Sequence, residues 1–397
     1  MKKTSNQEIE TIYHQAHQDG TIDSSDTAVI FFSLDILKDR LQLLQQHFPK
    51  SVLHAIAIKS NSSPEILEAI IKEGFGLEAA SIEEVALAIQ AGATNDQIVF
   101  DSPVKTRAEI ELCHNSLPGI IVNANSLVEL ERYPKDFSGQ LGLRINPLVN
   151  ADAPDFLNVS KKASKFGVPI SHEKAIVDAC LNYPQIKGLH LHIGSSIKNY
   201  QANIEAVKKV VDLADRINLL RKQANIDSQI EFIDIGGGIQ FDEADENFSM
   251  AGFVQQLNKL EIFDKYKVIT EYGKFIHNDA AFVVSDIEYI VEGSSENDPY
   301  TAFIHVGADL FLRKVYSNLP INYPWSIIRK DKINRQLPEK LYNIAGPLCF
   351  AGDFLYHQLS IPEIKEGDKF VIQEMGANTL SMWSNHCSRK IPKLIVC

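Results

Sequence analysis

Eight short runs rich in Val, Ile, Leu and Phe alternate with helical patterns through the first two thirds of the chain, and this alternation restricts the fold more than any other feature. The runs begin near residues 52 (VLHAIAI), 75 (FGLEAA), 97 (QIVF), 119 (GIIVNA), 140 (QLGLRI), 186 (IKGLHLHI), 230 (IEFIDI) and 267 (KVITEY). Helical periodicity fills most of the gaps, as at 64–73, 82–91, 126–132, 171–182, 199–222 and 250–260. An open doubly wound sheet also alternates strand and helix. Eight units in about 230 residues, with little left over, instead match a closed (β/α)8 barrel.

Beyond about residue 285 the texture changes. Short strands are expected in VVSDIEYIVEG, TAFIHVGAD, KLYNIAG, DKFVIQEM and KLIVC, separated by Gly, Pro and Asp turns, which reads as a mostly antiparallel β domain. The early run AVIFFS (28–33) can supply that domain with an extra strand, and the first 20 residues read as a surface helix with a poor core pattern. The expected division is residues 1–34 as an N-terminal segment, 35–284 as the barrel and 285–397 as the β domain.

Composition narrows the class of function. A net charge of -12 leaves no basic excess to neutralise phosphates, which disfavours nucleic acid and anionic membranes as partners. The opening MKKTSNQEIETIYHQ lacks the apolar stretch of a signal peptide, and no apolar run approaches membrane-spanning length. The five cysteines, odd in number and without CxxC spacing, fit neither a disulfide framework nor a zinc knuckle. A cytoplasmic protein is expected.

In a barrel of this kind functional residues lie at the C-terminal ends of the strands. Lys59 stands there directly after HAIAI, and Glu78, Arg144, His190 and His192 end other strands. Ser195 and Ser196 follow, then Asp234 with Gly236, Gly237 and Gly238, and finally Glu271 with Gly273. A lone lysine at a strand end is usually a solvated residue. Lys59 follows a nearly all-apolar strand, so its amine is expected to emerge inside the barrel mouth with a lowered pKa, as suits a nucleophile. His190 and His192 alternate along one strand and share a face. A metal would need further ligands, which no obvious cluster of His, Cys and carboxylates supplies, so none is expected. The glycine triplet is either a tight turn or an anion cradle. Phe241 stands where a dinucleotide fingerprint requires another glycine, which favours phosphate over NAD.

Taken in order, AIAIKSNSSPEIL, GFGLEAASIEEV, LRINP with SKFG, GLHLHIGSSI, IDIGGGI, GPLCFAGD and GANTLSMWSNHCSR resemble the diaminopimelate/ornithine decarboxylase family over about residues 25–397. The resemblance implies a fold-type III enzyme, with a PLP-binding (β/α)8 barrel like that of alanine racemase and a C-terminal β domain. It further implies a pyridoxal 5'-phosphate cofactor and a head-to-tail homodimer with shared active sites. By position, Lys59 matches the lysine that binds the cofactor covalently, and His192 the histidine stacked on its ring. Ser195, Gly236, Gly237 and Gly238 match phosphate-binding positions, while Glu78 and Arg144 match supporting ones. Glu271 matches the carboxylate that keeps the pyridine nitrogen protonated, which makes the ring an electron sink for the pair left when CO2 departs. Cys349 matches a proton-donating thiol contributed by the partner subunit, and Asp353 an aspartate near the far end of the substrate.

Three positions depart from the family pattern. The eighth-strand motif, usually Glu-Pro-Gly-Arg, is Glu271, Tyr272, Gly273 and Lys274 here, so a point charge replaces a fork at the phosphate. The usual Gly-Ala-Tyr near the C-terminus is Gly376, Ala377 and Asn378, which removes a phenol from the cofactor site. Phe350 replaces the acid that follows the cysteine, and a buried phenylalanine cannot pair with a substrate ammonium. Arg313 can instead meet a distal carboxylate, Arg389 lies in a tail like that of diaminopimelate decarboxylases, and Tyr316 and Trp383 can shape a larger pocket. The expected function is decarboxylation of a non-standard or carboxylate-bearing L-amino acid related to diaminopimelate. The alternatives are a racemase on the same fold, against which Glu271 argues, and a non-catalytic PLP-binding regulatory homologue.

Overall fold

The computed structural model describes residues 1–150, 158–197, 199–245, 248–295, 298–317, 321–331 and 337–397. They form two compact units, one of residues 38–276 with Met1 and the other of residues 2–37 with 277–397.

In the first unit eight parallel strands, Leu53–Ala57, Gly76–Ala79, Ile98–Phe100, Ile121–Ala124, Gln140–Asn146, Ile186–His190, Phe232–Asp234 and Lys267–Thr270, follow one another in order. Ile269 and Thr270 pair with Leu53 and His54 and close the ring, so all eight sequence runs become barrel strands. The strands are buried on both faces, which is why they read as continuous apolar runs rather than alternating ones. Ala55, Val99, Ile121, Phe232 and Ile269 form a core cluster, with Leu53 packed against it. Gly188 makes room for the Phe232 ring, because a Cβ there would stand 2.1 Å from it. The helices between strands start at caps legible in the sequence: Ser81 accepts from the Glu84 N–H, and Thr106 and Glu109 form a reciprocal capping box. Among the described residues no helix is long and apolar enough to cross a membrane.

The second unit is an eight-stranded, mostly antiparallel sheet built on the long strand Ala281–Val291. That strand pairs with Ala28–Phe32, Lys369–Ile372 and Tyr300–Ile304, and Glu339–Ala345 continues the sheet in parallel beside Tyr300–Ile304. The division between the units falls at 276/277 rather than at 284/285. The reason is that Ala281 to Ser285 already pair with Phe32 to Ala28, which ties the whole strand to the sheet. Two strands went unread in the sequence, Trp325–Ile328 and Phe354–Pro362. The first is short and the second carries polar residues in its middle, so neither shows a clear period.

The N-terminal helix Asn6–Gln18 corrects the expectation of a poorly patterned surface helix. Ile9, Tyr13 and Ala16, at helical spacing, pack with Ile22, Val29, Phe31, Phe282 and Val284 in one core of the second unit. Ser5 and Glu8 cap its start reciprocally.

The barrel interior yields a repacking test. Gly188→Ala should cost about 1–3 kcal/mol of stability through overpacking against Phe232. Shortening that ring in the double variant Gly188→Ala/Phe232→Leu should recover part of the loss, read as the shift in urea midpoint.

Candidate active site

Lys59 lies in a single helical turn, Ile58–Ser60, directly after the first barrel strand, where the Ser60 hydroxyl donates to the Ala57 carbonyl at 2.6 Å. The lysine side chain is 47% exposed, and its Nζ pairs with Glu78 Oε2. Glu78 is level with Ala57 on the neighbouring strand and is fully buried. Asp101, directly after the third strand, is 6% exposed. Arg144, His190 and Asp234 are level on three adjacent strands, so their side chains leave the barrel at the same height. Arg144 Nη1 lies 3.7 Å from Asp101 Oδ2, and its guanidinium sits 4.5 Å over the Phe166 ring. His190 Nε2 stands 3.9 Å from Asp101 Oδ2 and 3.5 Å from Glu271 Oε1, and neither ring nitrogen makes a hydrogen bond among the described residues.

Charge governs this pocket. Burial alone would lower Lys59, but the carboxyl groups of Glu78, Asp101 and Glu271 raise it well above the ordinary lysine value. The expected fall in its pKa is therefore overturned for the cofactor-free protein, where the ammonium is the counterion of surrounding acids. Burial, then the neighbouring Asp101 charge, pushes Glu78 well above the usual carboxylate range, against the pull of Lys59. Asp101 is held well below it: burial would raise it, but its neighbours Lys59, Glu78, His190 and Arg144 outweigh that. A second pair behaves alike. Burial and then Glu271 raise Asp234, whereas Glu271 is lowered: burial and Asp101 would raise it, but His190 and Lys59 together outweigh them.

Asp101, His190 and Glu271 each bring one metal-capable atom within 4.8 Å of the others, a cluster the sequence reading did not find. Its missing member was Asp101. The signal was available, since Asp101 directly follows the QIVF strand just as Lys59 directly follows the HAIAI strand region. Burial made the difference, because an acid in a DSP turn ordinarily faces water.

The sixth, seventh and eighth strand ends build a second region. Gly236 and Gly238 have φ of +65° and +93°, and a Cβ on Gly237 would stand 2.2 Å from the Glu271 carbonyl oxygen. On Gly238 it would meet the Gly194 carbonyl oxygen at 1.9 Å, just before Ser195. No side chain fits this turn, so the chain runs close against its neighbours. His192 Nδ1 accepts the Gly237 N–H at 3.1 Å, which leaves the ring proton on Nε2. Burial pushes His192 down to about 3, so the ring is neutral at ordinary pH. Lys274 Nζ donates to Ser196 Oγ at 3.1 Å, and Gly273 packs on Ser60, where a Cβ would stand 2.8 Å from the hydroxyl.

The remaining residues singled out in the sequence lie in the second unit. Cys349 is exposed. Phe350 is 36% exposed and stacked on Tyr316 with centroids 5.0 Å apart, which corrects the expectation of a buried ring. Asp353 is buried, and its carboxylate accepts the Ala308 N–H at 2.6 Å and the Leu348 N–H at 2.8 Å. Those bonds fasten the Gly346–Asp353 loop. Arg389 is likewise structural, donating to Asp309 Oδ2 at 3.3 Å and to the His305 carbonyl at 3.0 Å. Arg313, on the turn Leu312–Tyr316, is half-buried, and Trp383 is partly buried. Asn378 sits at φ +57°, a left-handed conformation that asparagine tolerates.

Residues 34–278 match the model of a pyridoxal-dependent decarboxylase, pyridoxal binding domain. The chain is 27% identical to the diaminopimelate decarboxylase of Aquifex aeolicus, over 91% of this chain and 84% of that one. With the diaminopimelate decarboxylase of Helicobacter pylori it shares 28% identity over 93% and 89% of the two chains. The crystal structure of the Helicobacter pylori enzyme complexed with L-lysine matches at a TM-score of 0.81 and 25% identity, covering 97% and 93%. The lysine/ornithine decarboxylase of Vibrio vulnificus complexed with cadaverine matches in fold at a TM-score of 0.80 and 20% identity, covering 99% of each chain. The residues present fit the pyridoxal phosphate that such a domain binds. Glu271 Oε1 is buried without a donor among the described residues, as a partner for a ring N–H requires.

Two outcomes follow from this geometry. In 15N NMR the His192 ring should remain the neutral Nε2–H tautomer from neutral pH down to about 3. Because its folded pKa lies below the unfolded value, the stability it contributes is present above about pH 6.5 and is lost as pH falls toward 3. Gly237→Ala, which sets a methyl against backbone, should cost about 1–3 kcal/mol in thermal or urea unfolding and weaken cofactor retention.

Proposed function

The chain belongs to the pyridoxal-dependent decarboxylases, and within that family we propose that it removes the α-carboxyl group of an L-amino acid whose far end carries a carboxylate, related to diaminopimelate. The observation that carries the substrate reading is Arg313. Its guanidinium is half-buried, burial lowers its pKa, and no carboxylate is paired with it among the described residues. A cation drawn partly out of water without a counterion gains from an anionic ligand, and a guanidinium fork suits a carboxylate. Phe350 supports the same reading, since it stands where an acid would recognise a distal ammonium.

Bound pyridoxal phosphate supplies the electron sink that takes up the pair released as the bond from Cα to the carboxylate breaks. Lys59 holds the cofactor covalently, with Glu78 and Arg144 ordering the charges around it. Glu271 keeps the ring-nitrogen proton in place, and the neutral His192 ring offers a flat, uncharged face for stacking. Ser195, the Gly236–Gly238 backbone, Gly273 and Lys274 hold the phosphate. The reading includes a homodimer in which the exposed thiol of Cys349, contributed by a second copy, returns a proton to Cα.

Borohydride reduction of the loaded protein followed by peptide mapping should place the label on Lys59, and a label elsewhere would overturn the assignment. In a screen of basic, acidic and dicarboxylic amino acids for CO2 release, carboxylate-ended substrates should be preferred. Arg313→Ala should raise their KM by about tenfold, the loss of roughly one charge-assisted hydrogen bond, with little effect on ornithine. Phe350→Glu should move preference toward diamine precursors. Efficient ornithine or lysine decarboxylation that Arg313→Ala leaves unchanged would sink the substrate reading and leave the family intact.

A further inference from the structure

Glu78 and Asp101 meet where the second and third barrel strands end, both withdrawn from water. Glu78 Oε2 receives the Lys59 ammonium, whereas Glu78 Oε1 is buried and has no hydrogen-bond donor among the described residues. Glu78 pairs with Val99 across the two strands and Asp101 lies two residues further on, its N–H donating to the Ala79 carbonyl at 3.1 Å, so the two carboxyl groups share one face of neighbouring strands. A carboxylate oxygen without a protein donor, beside a second carboxyl group, is satisfied when one acid proton lies between the two. The surrounding charges decide which group keeps that proton. Arg144 Nη1 and His190 Nε2 both approach Asp101 Oδ2, at 3.7 and 3.9 Å, and favour its ionised form.

We propose that Asp101 is a further positioning residue of the cofactor pocket, and that it shares one proton with Glu78 so that the pair presents a single negative charge to Lys59. The pocket facing the pair also holds Glu271, with Glu84, Lys105 and Asp234 acting from further out. The opposite directions in which the surroundings move the two acids agree with one proton held between them. The consequence falls on Lys59, and this inference rests on reading it as the cofactor lysine. Two full charges would bind its ammonium tightly and oppose loss of the proton that masks the nucleophilic amine. One charge orients the amine and leaves that proton removable.

The test uses cofactor-free protein labelled with carboxyl-13C glutamate, followed by infrared difference spectroscopy or 13C NMR. In the unmodified protein one glutamate assigned to Glu78 should remain protonated at pH 7, and Glu78→Gln should abolish its signal. Asp101→Asn should also abolish it, because Glu78 then becomes the ionised counterion of Lys59. The pH profile for acetylation of Lys59, mapped by mass spectrometry, should shift little in either single variant and markedly to lower pH in the double variant. Absence of a protonated Glu78 in the unmodified protein overturns the proposal, even if no variant folds. Persistence of the signal in Asp101→Asn overturns it too, by showing that burial alone holds the proton. Additive shifts of equal size in the acetylation profile would likewise mean two independent charges. None of these measurements reads CO2 release, so the substrate proposal and this one fail separately.

Discussion

Charge placed where water is scarce is the constraint on which this site depends. Glu78, Asp101, Asp234 and Glu271 are all buried at the ends of barrel strands, with Lys59, Arg144 and His190 among them. Four full negative charges at such spacing would repel strongly, at roughly 4 kcal/mol for each pair 4 Å apart at an effective dielectric constant of about 20. The pocket avoids this by letting burial keep Glu78 and Asp234 above the carboxylate range while Lys59 lowers both Asp101 and Glu271, with Arg144 and His190 beside them. The result approaches neutrality without removing the acids. Glu271 thereby stays an acceptor for a ring nitrogen, and Lys59 stays oriented toward the mouth.

Backbone packing supports this electrostatic arrangement. The glycine turn after the seventh strand touches the Glu271 carbonyl on one side and the Gly194 carbonyl on the other, with no room for a side chain. Its Gly237 N–H fixes the tautomer of His192, and the Gly236 N–H bonds Asp234 Oδ1 at 3.0 Å. One turn therefore sets a ring orientation and restrains an acid. That economy follows from a barrel in which neighbouring strands end at the same level.

In the second unit, buried or half-buried charged side chains hold backbone in place. Asp353 lies in the GPLCFAGD motif, yet its carboxylate serves two backbone N–H groups and leaves no space for a Cβ on Gly307 or Gly346. It shapes the loop that carries Cys349 and Phe350. Arg389 does comparable work through Asp309 and the His305 carbonyl. Arg313 differs, since its guanidinium has no such structural partner among the described residues.

The sequence by itself favoured the barrel over an open doubly wound sheet, since both bury their strands on both faces but eight units in about 230 residues leave little over. Lys59, His192, Glu271 and the glycine triplet were legible for a related reason: polar residues and glycines stand out against apolar strand ends. The core face of the helix Asn6–Gln18 was harder to read, because three apolar residues suffice when a sheet lies beneath them. Tertiary structure alone decided the ionisation of the site. Asp101, Glu78 and Lys59 lie far apart in the chain, and a pKa depends on distance and hydration that no local pattern records. The expected fall in the Lys59 pKa failed on this point, since burial was foreseen and the acids gathered around the amine by the closed barrel were not.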